Sequence, residues 1–463
     1  MTKKKILGGF IGLAVLIAMA LIPLDPAVWN PKALTGIGCL FCAIIWIAFG
    51  FMPDYVAAIS MSVLFAATGS AKLGTAFAAF SGSTVWIMIG ALSLGTAAGQ
   101  SGFLKRCALL MMKVLPATFS GQCMAFIISG TIMSPLVPST AAKSTIVAPM
   151  AQSTSRALGI EDHSKPAAGM FMAFYTGYIL TAACYLSGSF VSYSLVGLFE
   201  KTNPMTWTNW FVWSLPFLIV MLVLMSIIIL WYYKPAEKIS VTKEFIQSQL
   251  DEMGAWSWQE KLTGGTLVVC LILWIFERSI NIQASLVACA GAMVILTADV
   301  LNRKDFRAKV PWDSILMIGC FVSVSSVFTG LGIDKTVSAL FGEQMAFMMS
   351  NPYVLVICLC AVTFVLRFIF VSLTACATLT TVMLMPFCDM YGIHPWILAF
   401  VAYIATNIWF LIYQTAPMIM SLAAIDSQLV KHSETVPGSF QYMIVCVVGL
   451  LVSVPFWKLL GLC

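Results

Sequence analysis

The sequence predicts an all-α polytopic membrane protein with about eleven transmembrane helices and two re-entrant hairpins, arranged as inverted-topology repeats. Of its 463 residues, 60% are hydrophobic and only 10% are charged, and the mean hydropathy is +0.95. Runs of about twenty apolar residues, long enough to cross a bilayer core of about 30 Å, recur from end to end. Soluble domains average roughly 25% charged residues, so this composition excludes a soluble protein and a basic domain that binds nucleic acid.

The first predicted span follows three lysines at positions 3–5 and covers residues 6–24. No small-residue cleavage site precedes the turn between Pro23 and Pro26, so we interpret residues 1–30 as a retained transmembrane helix rather than a signal peptide. Two later apolar stretches are interrupted by Pro, Ser and Thr and predict re-entrant hairpins at 118–152 and 352–388. The remaining predicted spans cover residues 33–52, 55–69, 82–100, 167–190, 207–233, 263–276, 281–298, 312–330, 395–421 and 438–457.

The basic residues give this arrangement an orientation. With the N-terminus in the cytoplasm, seventeen Lys and Arg residues fall in predicted cytoplasmic segments and six fall on the opposite side. Cytoplasmic loops of membrane proteins carry such an excess. We therefore expect an inner-membrane protein with a cytoplasmic N-terminus and an external C-terminus.

An internal repeat divides the chain. The stretch Trp86–Gly90 returns as Ile315–Gly319, 229 positions later, and three further features follow in the same order in both halves. The predicted orientation makes helix 82–100 run inward and helix 312–330 run outward, so the two halves have inverted topology. The resulting units are an N-terminal helix at 1–30, a first repeat at 31–233, a cytoplasmic linker at 234–261 and a second repeat at 262–463.

Polar breaks in both halves indicate a binding site near the middle of the membrane. They comprise the two hairpins, the sequence Ser187-Gly188-Ser189 and the sequence Tyr413–Pro417. Irregular backbone at membrane depth has to be buried in protein or line a watery cavity. Inverted repeats with discontinuous helices are typical of secondary transporters, whose helix N-termini favour anionic substrates.

The stretches Phe80–Trp86 and Ser101–Leu109 resemble the divalent anion–sodium symporter family. This family includes di- and tricarboxylate carriers, plastid oxoglutarate–malate translocators and sulfate symporters. The resemblance implies an elevator-type carrier, usually a homodimer in the lipid bilayer. It also implies that a dianion binds between two hairpin tips, with sodium as a possible coupling ion beside it.

Members of this family carry Ser-Asn-Thr signatures at both tips. The first aligns with Ser139–Lys143, and the second aligns either with Ser372–Ala375 or with Cys376–Thr378. The polar breaks and the resemblance together give ten candidate substrate-binding residues: Ser139, Thr140, Lys143, Ser187, Gly188, Ser189, Thr374, Thr378, Thr415 and Pro417. The candidates for a cation site are Ser134, Ala141, Ser372, Ala377 and Thr380.

Both signature asparagines are absent here, and with them an acceptor for a cation and a donor for a carboxylate. Lys143 stands where the exchanger-like branch of the family carries Arg, and Arg367 lies in the opposite hairpin. A fixed cation neutralises a dianion without sodium, but such side chains also snorkel to the membrane interface. Sodium symport and anion exchange therefore both stay open at this point.

The leading interpretation is a secondary carrier of small divalent organic anions of the dicarboxylate type. The alternatives are a carrier of sulfate-like inorganic anions or sulfonates and an anion channel on the same scaffold. We expect no enzyme and no cofactor beyond possible Na⁺, since no catalytic or metal-ligating arrangement and no P-loop occur in the sequence. The expected partners are a small anion, the bilayer and a second copy of the chain, with no nucleic acid.

Overall fold

The computed structural model describes residues 3–236 and 243–463, and these residues form helices, turns and loops without a strand. The predicted all-α polytopic class is confirmed. Residues 237–242 of the predicted linker 234–261 lie outside the described residues.

The helices fall into two series, one on each side of that gap. Up to residue 236 the helices are α1 (Lys3–Leu21), α2 (Ala33–Ala48), α3 (Asp54–Ala67), α4 (Leu73–Ala76), α5 (Ser83–Gln100), α6 (Phe103–Val114), α7 (Phe119–Met133), α8 (Thr140–Ala157), α9 (Lys165–Tyr178), α10 (Phe190–Phe199) and α11 (Trp207–Tyr232). From residue 243 they are α12 (Lys243–Met253), α13 (Trp258–Ile275), α14 (Glu277–Ile280), α15 (Ala284–Thr297), α16 (Arg303–Lys309), α17 (Trp312–Gly330), α18 (Ile333–Met349), α19 (Pro352–Leu366), α20 (Leu373–Leu384), α21 (Cys388–Tyr391), α22 (Pro395–Thr406), α23 (Ala416–Ala424) and α24 (His432–Leu459).

Within the described ranges, five helical stretches are long and apolar enough to cross a membrane singly, and two bent helix pairs raise this number to seven. Further apolar helices, among them α2, α3 and α15, are 10–17 residues long. The protein is therefore a multi-pass membrane protein, and the number of eleven spans stays a prediction.

The two predicted re-entrant segments each form a pair of helices joined by a short non-helical tip. Residues 134–139 join α7 to α8, and residues 367–372 join α19 to α20. Both arms of the first hairpin pack on α9, and both arms of the second pack on α22. Helix α8 runs to Ala157, past the predicted bound at 152.

The spans that follow the hairpins are interrupted where polar breaks are predicted. The first break, residues 179–189, separates α9 from α10, and the second, residues 407–415, separates α22 from α23. Short 3₁₀ turns, Leu186–Gly188 and Ile412–Gln414, lie inside them. These segments expose backbone groups that a continuous helix would have satisfied internally.

Two stretches outside the predicted spans and hairpins form helices, namely α6 and α18. Helix α6 bends by 61° from α5, and α18 bends by 100° from α19. Charged residues such as Lys105 and Lys113 interrupt the hydropathy of α6, although its other face buries apolar side chains including Leu104 and Met112. An amphipathic helix of this kind escapes a search for continuous apolar runs.

Arg106 lies on α6, and its charged side chain is buried rather than exposed to solvent. Its guanidinium forms an ion pair of 2.7 Å with Glu260, and both side chains are almost fully buried. It also donates to the carbonyl of Gly254 at 2.9 Å and lies over the ring of Trp256. These contacts fix α6 to the segment that links α12 to α13. If Arg106 is left out, sixteen basic residues remain in predicted cytoplasmic segments against six on the opposite side, so the predicted orientation does not change.

Packing between the two halves is reciprocal. Helix α3 packs against α17 of the second half, and α15 of the second half packs against α5. Likewise α8 of the first hairpin packs against α23, and α20 of the second hairpin packs against α10. Each contact is thus repeated with the roles of the halves exchanged, which is the relation expected of two structural repeats about a pseudo-two-fold axis.

The predicted orientation is tested at Ser248, which is exposed on α12. In a chain without native cysteines, we expect Ser248→Cys to react with an impermeant maleimide only when the cytoplasmic face is accessible, because the basic residues place α12 there. The matched control is Lys32→Cys, which we expect to react only from the external face. Labelling of Ser248→Cys in intact cells would contradict the orientation.

Candidate functional site

The first hairpin tip presents the N-terminus of α8. The Ser139 hydroxyl accepts a hydrogen bond of 3.1 Å from the backbone N–H of Ala142 and so caps the helix. Ser139 is buried, whereas Thr140 and Ala141 are half-buried in the first turn. The uncapped N–H groups of this turn carry the positive end of the helix dipole, which favours an anion nearby.

Lys143 lies one helical turn beyond Ser139 and is fully buried. Its ammonium donates to the carbonyl of Gly188 at 3.1 Å and to the carbonyl of Ser134 at 3.4 Å. The snorkelling interpretation is therefore wrong for this lysine, because its charge turns inward to join the hairpin tip to the break between α9 and α10. The Ser134 hydroxyl bonds to that of Thr181 at 3.0 Å.

The break between α9 and α10 is held against the hairpin tip by Ser187. Its hydroxyl donates to the carbonyl of Pro135 at 2.6 Å and accepts from the indole N–H of Trp207 at 2.8 Å. Ser189 caps α10 through a bond from the N–H of Val191. The side chains of Ser187 and Ser189 thus shape the site, while Gly188 contributes its carbonyl.

The second hairpin tip is built in the same way. Ser372 accepts from the N–H of Ala375 at 3.2 Å and caps α20, as Ser139 caps α8. Ser372 is therefore the structural counterpart of Ser139 as a helix cap, which favours the alignment at 372–375 over that at 376–378. Thr374 and Thr378 are one turn apart on α20, and both are buried.

The cation-site candidates of this hairpin offer few free oxygens. The Thr380 hydroxyl donates to the carbonyl of Cys376 at 2.8 Å within the helix. The Ser372 hydroxyl already caps α20, and Ala377 has no side-chain oxygen. In the first hairpin Ala141 likewise has none.

Arg367 ends α19 at the second tip and is completely buried. Its guanidinium donates to the carbonyls of Thr406 at 3.0 Å and Phe370 at 2.8 Å. The remaining terminal nitrogen, Nη2, is buried and has no partner in the described parts of the chain. A buried guanidinium nitrogen without an acceptor is costly, so this group is available to a ligand.

The break between α22 and α23 completes the arrangement. The Tyr413 hydroxyl donates to the carbonyl of Phe368 at 3.0 Å, which repeats the bond from Ser187 to Pro135 in the other half. The Gln414 side chain donates to the carbonyl of Arg367 at 3.1 Å. Each hairpin tip is therefore tied by a side chain of the broken span that follows it.

Two contacts cross between the halves at this point. The Thr415 hydroxyl lies 3.4 Å from that of Tyr175 on α9, and the Ser144 hydroxyl of α8 donates to the carbonyl of Pro417 at 3.2 Å. The candidates Thr415 and Pro417 thereby meet the first half. Sequence reasoning missed Tyr175, because a tyrosine inside a long apolar run carries no local signal of a polar role.

The electrostatic character of this region is positive. Within residues 3–236 and 243–463, no carboxylate lies within 4 Å of Lys143 or Arg367. The two buried cations are surrounded by carbonyls and hydroxyls, which satisfy hydrogen bonds without neutralising charge. Such an arrangement favours an anionic ligand.

Gly95 on α5 contacts the first hairpin tip. A Cβ atom at Gly95 would lie 2.9 Å from the Cβ and backbone N atoms of Ser139, and one at Gly99 would lie 3.3 Å from the Cβ atom of Ala142. Gly95 and Gly99 form a Gly-x-x-x-Gly pattern, a common helix-packing motif, and here it lets α5 approach the tip directly.

A cavity of roughly 790 Å³ lies away from the candidate residues. It is bounded by the ends of α5, α10 and α17 and by the base of the second hairpin, and it contains Glu200 and Asp334. The Glu200 carboxylate there accepts hydrogen bonds from Ser83 and Thr84. This cavity is not the candidate site, because none of the ten candidate substrate-binding residues lines it.

Paired hairpins, interrupted spans and a positively charged interior are features typical of membrane transporters. The family profile described as the sodium:sulfate symporter transmembrane region matches residues 3–463, so the chain belongs to the divalent anion–sodium symporter family. The L-tartrate/succinate antiporter of Shigella dysenteriae is 25% identical over 375 residues, which cover 78% of this chain and 73% of that protein. The inner membrane protein YbhI of Escherichia coli K12 is 24% identical over 290 residues, or 60% of each chain.

Solved structures give the same fold. The YdaH transporter of Alcanivorax borkumensis superposes with a TM-score of 0.59 at 13% identity and covers 99% of both chains. MtrF of Neisseria gonorrhoeae superposes with a TM-score of 0.54 at 13% identity, over 98% of this chain and 95% of that one.

Substitution of the two threonines tests whether the site is placed correctly. We expect Thr140→Val and Thr415→Val each to weaken anion binding about tenfold or more, because each removes a charge-assisted hydrogen bond of roughly 1.5–3 kcal/mol. The measurement is the KM of anion transport in proteoliposomes. Thr145→Val is the control, since Thr145 is exposed on the same helix α8. Unchanged KM in both variants would place the anion elsewhere.

Proposed function

We propose that this protein exchanges small dicarboxylates across the cytoplasmic membrane and binds them between the two hairpin tips. The observation that carries the proposal is the pair of buried cations, Lys143 and Arg367, with no carboxylate within 4 Å in the described chain. A charged side chain at the bilayer centre costs about 2.5–3.5 kcal/mol on insertion scales, so two such charges are expected to serve a ligand. A dianion supplies the two missing negative charges.

Exchange is favoured over sodium symport by what the tip carbonyls already bind. Sodium requires hard oxygen ligands, and at the first tip the carbonyl of Ser134 accepts the Lys143 ammonium. At the second tip the carbonyls of Phe370 and Val371 accept from the Arg367 guanidinium. Tethered cations thus take oxygens that a sodium ion would need, and the residues fit a sodium site poorly.

The same tethered charges explain why exchange would be obligatory. An empty carrier would move two uncompensated cations through the low-dielectric barrier, whereas a loaded carrier moves a nearly neutral complex. Return of the empty carrier is therefore slow, and a counter-anion accelerates it.

We further propose that the hairpins, with α9, α10, α22 and α23, move as one body against a support formed by α3, α5, α15 and α17. The reciprocal packing of the two halves supports this division into inverted repeats, with units at 1–30, 31–233, 234–261 and 262–463. In the elevator arrangement that the family resemblance implies, the support body also forms a homodimer.

The substrate class is supported by the name of the relative from Shigella dysenteriae, an L-tartrate/succinate antiporter that matches 78% of this chain. Both of its named substrates are dicarboxylates. Two cations on opposite hairpins suit the two separated carboxylates of such molecules better than a single compact ion. The experiment below distinguishes this class from the alternatives, which are transport of sulfate or sulfonates and conduction through a channel.

The test is uptake of labelled succinate by proteoliposomes that are either empty or loaded with succinate, with and without an inward sodium gradient. We expect uptake only into loaded vesicles, saturation with external succinate and no response to sodium. Sodium-driven accumulation in empty vesicles would overturn exchange in favour of symport. Faster counterflow with sulfate than with succinate would overturn the substrate class, and non-saturating flux without internal anion would indicate a channel.

A further inference from the structure

A groove on the outside of the bundle lies behind the first hairpin. Its volume is roughly 660 Å³, and it is lined by α7 and α11, with Ile127, Ile132, Leu222 and Ile227 among the lining side chains. This volume is within the range of about 300–1,000 Å³ typical of small-ligand sites. The groove is separate from the hairpin tips, because it faces away from the bundle interior.

The groove has the length of half a bilayer. On α11 it extends from Leu222 to Trp231, and at 1.5 Å per residue this stretch rises roughly 14 Å. Half of a hydrocarbon core of about 30 Å is 15 Å. The α11 wall presents Val223, Ile227 and Trp231 at four-residue intervals, with exposed fractions of 50%, 55% and 81%. This wall has the shape and chemistry to receive one extended acyl chain of one leaflet.

The end of the groove near Trp231 is marked by aromatic and basic groups. The Lys165 ammonium lies 3.6 Å from the ring centre of Tyr232, and Lys234 is exposed just after the helix ends. A Cβ atom at Gly169 would lie 2.4 Å from Tyr233 and 3.1 Å from Phe119, so the ends of α7, α9 and α11 converge here. Trp and Tyr rings prefer the level of lipid headgroups, and lysines beside them attract anionic headgroups.

The acidic residues that precede Lys165 in the chain are Glu161 and Asp162, and neither forms an ion pair with it in the described residues. Asp162 forms an ion pair of 2.9 Å with Arg156. The positive charge of Lys165 and Lys234 is therefore left to act on a headgroup phosphate.

We propose that the α7–α11 groove binds one anionic phospholipid, with an acyl chain along α11 and the phosphate between Lys165 and Lys234. The tip beyond α7 contains Ser134, whose carbonyl accepts the Lys143 ammonium. A lipid in the groove therefore braces the outer side of the hairpin arm that holds this charge. The inference does not depend on the transported substrate.

The test measures lipids retained by the purified full-length protein in mild detergent, by native mass spectrometry, after incubation with phosphatidylglycerol or phosphatidylcholine. We expect one phosphatidylglycerol per chain, bound at least tenfold more tightly than phosphatidylcholine. The double variant Lys165→Ala/Lys234→Ala should lose this preference, and Ile227→Trp should lose the bound lipid by filling the groove. The control Val452→Trp, at an exposed position of α24, should retain it.

Four outcomes would overturn the proposal. Equal retention of both lipids by the native chain would remove the headgroup site, and retention by Ile227→Trp equal to that of the control would place the lipid elsewhere. Conversion of a dimer to a monomer by Ile227→Trp alone would assign the groove to a second copy of the chain. If Ile227→Trp fails to fold, the double lysine variant still tests the proposal, because it changes only exposed side chains. An unchanged preference for phosphatidylglycerol in that variant would contradict the headgroup site.

Discussion

Replacement of Lys143 by alanine is expected to abolish exchange. The ammonium is buried and donates to the carbonyl of Ser134 at the first hairpin tip and to that of Gly188 in the break between α9 and α10, so its removal withdraws a full charge from the substrate's surroundings. At a separation of about 4 Å and an effective dielectric constant of about 20, the lost attraction is about 4 kcal/mol, or roughly a thousandfold in affinity. Counterflow of labelled succinate in loaded proteoliposomes measures the effect.

Two further variants separate charge from folding at this position. Lys143→Arg keeps the charge and should retain part of the exchange, although a planar guanidinium fits the two carbonyls less well. Lys72→Ala removes an exposed lysine and should leave exchange unchanged. Undiminished exchange in Lys143→Ala, or accumulation of succinate driven by sodium in that variant, would show that this lysine does not carry the substrate's charge.

The general architecture could be predicted from the sequence, because a bilayer allows so apolar a chain only a few backbone structures. Breaks in apolar runs are costly in lipid, so the polar clusters at 134–140 and 187–189 already indicated irregular backbone inside the protein. Helices α6 and α18 were missed for the opposite reason. Charged residues lower the hydropathy of both helices, so neither forms a continuous apolar run in the sequence, although α6 buries one apolar face.

The alignment of the second hairpin could not be decided from the sequence, because the stretch after Ser372 contains several similar small residues. The hydrogen bond that caps the helix favours the alignment at 372–375. Ser139 and Ser372 are 233 positions apart, and each accepts the N–H three residues later. A hydrogen bond from a backbone N–H to a side-chain hydroxyl cannot be read from composition, although it fixes the first turn of each helix in space.

The same offset relates the two buried cations in a way that the sequence alone conceals. Arg367 is 233 positions after Ser134, and Cys376 is 233 positions after Lys143. Lys143 donates to the carbonyl of Ser134, which is the position that Arg367 occupies in the second half. In each half, one of these two equivalent positions therefore carries a cation. In the first half it is on the second arm of the hairpin, and in the second half it is at the end of the first arm.

Replacement of Arg367 by glutamine is expected to change which anions are exchanged. The variant keeps an uncharged N–H donor at the position of the arginine Nε, which donates to the carbonyl of Thr406, but it removes the charge. With only Lys143 left, a dianion would be half neutralised, and its affinity should fall by a factor on the order of one thousand. A monoanion would be fully neutralised and should become the better substrate.

The measurement is counterflow of a dicarboxylate and of a monocarboxylate of similar length in the same vesicles. A purely structural role for Arg367 would lower both rates together, whereas a charge-matching role inverts their ratio. Arg278→Gln, an exposed arginine in the second half, serves as the control and should preserve the native ratio. An unchanged ratio in a folded Arg367→Gln would mean that the partner-free nitrogen at the second tip faces something other than the substrate, and that Lys143 alone holds the anion.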